Sequence, residues 1–129
     1  MAIFLIYFIR TSMNNYCKDS NSFESNCIPK TVNASIAVLT PKEDKDFIVR
    51  KVTLAVDGSM PNHINEIQHQ QYVLKGEAKV VVGSEEFHAK AGDFIYIPAG
   101  VEHNYEACYG SEYEFLCMIT TKEDKITMI

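Results

Sequence analysis

The chain has 129 residues, of which 47% are hydrophobic and 22% charged, and its net charge is −5. That length suits one domain with a real core and leaves little room for two. The acidic balance and the lack of a basic stripe set nucleic acid aside as a partner, and no apolar run approaches the ~20 residues of a spanning helix, so no membrane partner is expected.

In chain order, the first nine residues, MAIFLIYFI, are all apolar. Three readings stay open for them: a strand packed on the domain or on a second subunit, a poor signal sequence without leading basic residues, or a non-native extension. The strand is favoured. Residues 14–30 are rich in Asn, Ser and Lys and show neither helical nor strand period, which predicts a loop. From Ser35 onward, short β-branched and aromatic runs alternate with turn residues: SIAVLT, FIVRKVTLAV, QQYVLKG, AKVVV, EEFHAK, DFIYIP, VEHNYEA and YEFLCMIT. Asp57-Gly58-Ser59, Lys75-Gly76-Glu77, Ala91-Gly92-Asp93 and Pro98-Ala99-Gly100 read as turns between them. The division expected is an extension over residues 1–34 and an all-β barrel over 35–129, a jelly roll or small closed barrel.

Cys17, Cys27, Cys108 and Cys117 form no C-x-x-C pair. Reduced thiols in a cytoplasmic protein are expected, with a Cys17–Cys27 bridge the alternative in an oxidising compartment.

Only four histidines are present, and two of them, His63 and His69, stand seven positions from end to end just before a strand. Strand side chains alternate faces, so His63, Asn65 and His69 can share one face. His103 heads a later strand, after the Pro98-Ala99-Gly100 turn. Imidazoles converging from two regions of a barrel suit a divalent transition metal; the alternative is histidines that simply hydrogen-bond to backbone. His88, without a second ligand nearby, is expected at the surface.

These residues carry a resemblance. Gly58, four residues, His63, one residue, Asn65, three residues, His69, six residues, Gly76 resembles the first signature of the cupin family. Gly92, five residues, Pro98-Ala99-Gly100, two residues, His103 resembles its second signature, with Ala107 where the final Asn would stand. The resemblance, to a small single-domain bacterial cupin, implies a double-stranded β-helix with a metal in its mouth. It implies His63, Asn65, His69 and His103 as the ligand set. Asn65 stands where the family has a second His, and His69 where it usually has Glu. The implied cofactor is one divalent transition metal, among Mn, Fe, Ni, Cu and Zn, and a homodimer is expected as in similar cupins.

Strand parity adds Gln71, Tyr105, Phe115 and Cys117 to the pocket wall and puts Glu114 and Glu66 outside. Tyr96 is expected in the core, or as a phenol proton donor. The function expected is a metal-dependent oxidoreductase of dioxygenase type acting on a small organic molecule. A non-catalytic small-ligand binding or sensing module, with weak or no metal, is the alternative.

Overall fold

The computed structural model describes residues 16–44, 46–120 and 126–129. The apolar segment 1–9 lies outside them. Among the described residues there is one 3-10 turn, Ser20–Ser22, and no helix long and apolar enough to cross a membrane. The rest is strand: β1 (Asn26–Cys27), β2 (Val32–Val38), β3 (Phe47–Asn65), β4 (His69–Val82), β5 (Glu85–Lys90), β6 (Phe94–Ile97), β7 (His103–Ala107), β8 (Tyr113–Thr120) and β9 (Ile126–Met128). Every pairing between them is antiparallel.

Two long strands build both walls. The first half of β3 pairs with β2 and β8, and its second half with β7 and β9. The first half of β4 pairs with β6 and β8, and its second half with β5 and β7. The result is a two-walled jelly-roll barrel, a double-stranded β-helix, with the core between the walls.

The bends that let one strand serve two walls fall at residues the sequence marks as turns. Asp57 takes φ 66 and Gly58 is buried where a Cβ would meet the Ala55 carbonyl oxygen at 2.7 Å. Leu54 pairs with Ala34 and Ser59 with Val32, so residues 55–58 form a bulge and not the end of a strand. Gly76 takes φ 81, and an added Cβ would fall on the Glu112 carbonyl oxygen. That position also lies inside a strand, where β4 passes from one wall to the other. The expected turns at 57–59 and 75–77 are therefore bends within β3 and β4. Gly92 and Gly100 do sit in turns, with φ 93 and 78.

Residues before Ser35, expected as a loop, join the sheet: β1 pairs with β2, which starts at Val32, so the boundary drawn at residue 34 falls within a strand. Lys51, buried on the outer face of β3, donates to Ser20 Oγ at 3.0 Å and Asn21 Oδ1 at 2.7 Å. These bonds tie the early segment down over the barrel wall.

Candidate metal and ligand pocket

One cavity of about 190 Å³ opens into the barrel, and its wall includes all eight residues expected at the site: His63, Asn65, His69, Gln71, His103, Tyr105, Phe115 and Cys117. All eight are buried, although five of them are polar. The placement follows from register. His63 lies across from His103 where β3 meets β7, and Gln71 lies across from Cys117 where β4 meets β8.

The rings gather closely. The His63 and His103 centroids are 4.1 Å apart, and those of His69 and His103 are 6.3 Å apart. His63 Nδ1 sits 2.8 Å from the Pro61 carbonyl oxygen and His103 Nδ1 2.9 Å from that of Val101. A carbonyl only accepts, so in the neutral ring Nδ1–H is the donor and Nε2 keeps its lone pair. Ligating histidines are prepared in this way, with one nitrogen anchored to fix tautomer and orientation and the other left for the ion. His69 Nδ1 lies 3.4 Å from Cys117 Sγ.

The donor set suits a borderline transition ion, but its spacing requires adjustment. Two imidazoles sharing one ion through bonds of ~2.1 Å set their ring centroids on the order of 5 Å apart. The His63–His103 pair is tighter than that and the His69–His103 pair looser. Consistently, among the described residues no group of three or more His, Cys, Asp or Glu side chains stands ready-made to hold an ion.

Beside the histidines, Gln71 Nε2 donates to the Tyr105 hydroxyl at 2.7 Å. The Tyr105 ring stacks on Phe115 at 5.3 Å and meets His103 edge-on at 5.8 Å. Burial pushes the Tyr105 phenol well above its ordinary range, with the Gln71 hydrogen bond opposing the shift only in part. The phenol is therefore neutral throughout the physiological range and keeps a proton to donate.

Some residues fall elsewhere. Tyr96 is neither core nor pocket: it is half exposed on the outer face and donates to Gln68 Oε1 at 2.9 Å. Glu114 points outward but is nearly covered, accepting from Thr53 Oγ1 at 2.9 Å. Glu66 is exposed, as is His88, whose Nε2 is 3.8 Å from Glu77 Oε2. Several lining residues escape the sequence reading, among them Cys27, Ile28 and Pro29 from the segment expected as a loop, and Arg50, which donates from Nη2 to Cys117 Sγ at 3.3 Å. Arg50 stands at the same parity as Val52 and Leu54 in FIVRKVTLAV, and that parity was the available signal.

A double-stranded β-helix with polar side chains gathered at one end of its interior defines the class. The Cupin domain family model matches residues 50–119, and the chain belongs to the cupin family. Among solved structures, the polyketide cyclase RemF from Streptomyces resistomycificus is similar, with 19% identity, a TM-score of 0.81 and coverage of 90% of this chain and 86% of that one. A cupin-2 domain protein from Rhodospirillum rubrum is similar at 18% identity and TM-score 0.78, covering 91% and 80%. So is the oxalate decarboxylase of Bacillus subtilis, a protein with Mn(II) centers, at 17% identity and TM-score 0.68. That match covers 81% of this chain but 30% of the decarboxylase. At these identities the likeness is one of fold. No curated protein matches the chain.

Proposed function

We propose that this cupin is a metal-dependent oxidoreductase of dioxygenase type acting on a small organic molecule. His63, His69 and His103 hold one divalent transition metal (Mn, Fe, Ni, Cu or Zn), and Asn65 stands beside them as a weak or water-bridged fourth group. The observation that carries this reading is the burial of three imidazoles in one cavity, with His63 and His103 anchored through Nδ1 to backbone carbonyls that fix their ring orientation. The Mn(II) centers of the similarly folded oxalate decarboxylase support Mn as one of the candidate ions.

A metal bound by neutral ligands keeps its full charge and, with open positions, supplies Lewis acidity and access for oxygen or substrate oxygen. The remaining work belongs to the chain. Phe115 and the faces of the aromatic rings exclude water and orient the apolar part of the substrate. Tyr105, held by Gln71, offers a hydroxyl proton toward a substrate oxygen.

Metal analysis of the purified protein by mass spectrometry tests the assignment. About one ion per chain is expected in the wild type, and less than a tenth of that in His103→Ala. Equal metal content in both would reject it. The second reading, a binding or sensing cupin that does no chemistry, is favoured by the uneven ring spacing of 4.1 and 6.3 Å. A protein that is folded, metal-free and still able to bind small ligands would establish it.

A further inference from the structure

Arg50 is a cationic residue of the cavity wall that metal binding does not employ. It pairs in register with Cys117 across β3 and β8, and its side chain reaches the interior beside that thiol. Its Nε is shielded from solvent and has no hydrogen-bond partner among the described residues. None of the ion pairs among the described residues includes it.

A guanidinium is charged at any working pH and presents five N–H donors in a planar fork. A thiol sulfur is only a weak acceptor for one of them. A cation turned into a largely apolar cavity is unfavourable until an anion meets it. The group that matches the fork is a carboxylate, through two parallel N–H···O bonds. Arg50 and the histidines share one small cavity, so a ligand held by its carboxylate on Arg50 would turn its remaining atoms toward the imidazoles.

The geometry points to Arg50 as the recognition residue for a small organic carboxylate. This names the substrate class of the pocket proposed above and so rests on that ligand site, but not on the metal. The Arg50 Nε and Nη2 edge takes the carboxylate, and Cys117 Sγ gives up its place on Nη2.

Calorimetric titration of chelator-treated protein tests it, with pyruvate, oxalate and benzoate set against pyruvamide, oxamide and benzamide. Removing any bound ion keeps carboxylate–metal affinity out of the comparison. At least one carboxylate is expected to bind tighter than its amide by roughly tenfold or more, and Arg50→Gln is expected to erase that preference. Binding of no carboxylate, equal binding of acid and amide, or an undiminished preference in folded Arg50→Gln would overturn the proposal. Should Arg50→Gln not fold, Arg50→Lys serves in its place. It keeps the charge without the fork, so a preference reduced severalfold is expected, and one equal to wild type overturns the assignment. Metal content distinguishes this from the metal reading: Arg50→Gln is expected to load metal like the wild type. A wild type that takes no metal yet prefers carboxylates through Arg50 sinks the metal reading and supports this one.

Discussion

At one end of the barrel interior, Leu54, Val73, Ala78 and Tyr113 are wholly buried among other apolar side chains. At the other end, strands β3, β4, β7 and β8 bury His63, Asn65, His69, Gln71, His103 and Cys117 almost as deeply. The same two long strands supply both ends, and Gly76 lies toward the apolar one, across from Tyr113. The energetics differ. Apolar burial stabilises at roughly 25 cal/mol per Å², while each buried polar group must recover its lost hydration through a partner. The closed end therefore holds the fold, while the site end carries buried polar groups whose lost hydration must be recovered through partners.

The largest test of that difference is a pair of substitutions. Leu54→Ala removes a fully buried side chain that packs at the closed end, and it is expected to lower stability by about 2–5 kcal/mol. His69→Leu keeps most of the volume at the site end and removes the polarity, and it is expected to change stability by about 1 kcal/mol or less in either direction. Urea unfolding followed by circular dichroism measures both. Similar losses at the two ends would mean that the site residues hold the barrel together as much as the core does.

A second test uses the two tyrosines that divide between the ends, Tyr113 at the closed end and Tyr105 at the site. Burial raises both phenols above the ordinary value of 10.0. Below pH 10 both are protonated in the folded and unfolded chain alike, so they add no pH dependence. Above it, the unfolded phenols ionise while the folded ones keep their protons. The unfolded state then binds fewer protons and stability falls as pH rises, by about 1.4 kcal/mol per pH unit for each tyrosine. Melting temperatures taken from about pH 9 to about pH 11 should decline on this alkaline limb, and Tyr105→Phe and Tyr113→Phe should each remove part of the slope. A limb that survives in Tyr113→Phe but vanishes in Tyr105→Phe would show that only the site end resists ionisation.

Much of this arrangement was legible in the sequence, because period-two alternation carries side chains to a face without any knowledge of partners. It brought Gln71, Tyr105, Phe115 and Cys117 to the cavity wall along with the histidines, and the two spaced motifs brought the cupin fold. Arg50 was equally accessible by parity, yet a charged residue in a strand reads as solvent-facing until the cavity is seen. Tyr96 failed for the opposite reason: an aromatic in an apolar run reads as core, and here the outer face of β6 exposes both Phe94 and Tyr96. The bends at Asp57 and Gly76 were unreadable locally, since positive φ serves a turn and a bulge alike. Only the pairing of Ser59 with both Val32 and Glu106 shows that β3 continues past its bend. Likewise, the polar composition of residues 14–30 gives no sign that Lys51, buried on β3, will hold Ser20 and Asn21.

The smallest net effect is expected within the site end, for a double variant of the Gln71–Tyr105 pair. Gln71 Oε1 is buried with no hydrogen-bond partner among the described residues, while its Nε2 holds the Tyr105 hydroxyl. Gln71→Leu strands that hydroxyl and Tyr105→Phe strands the amide, so each alone is expected to cost about 1–3 kcal/mol. The double variant removes both partners and replaces them with apolar groups of similar shape, so it should return close to wild-type stability. The coupling read from the complete cycle measures how much of the pair's apparent worth is only the penalty of leaving one partner alone. If the double variant loses as much as the two singles added together, the pair holds nothing in common. The site end would then be stabilised residue by residue, in the manner of the closed end, and the distinction between them would disappear.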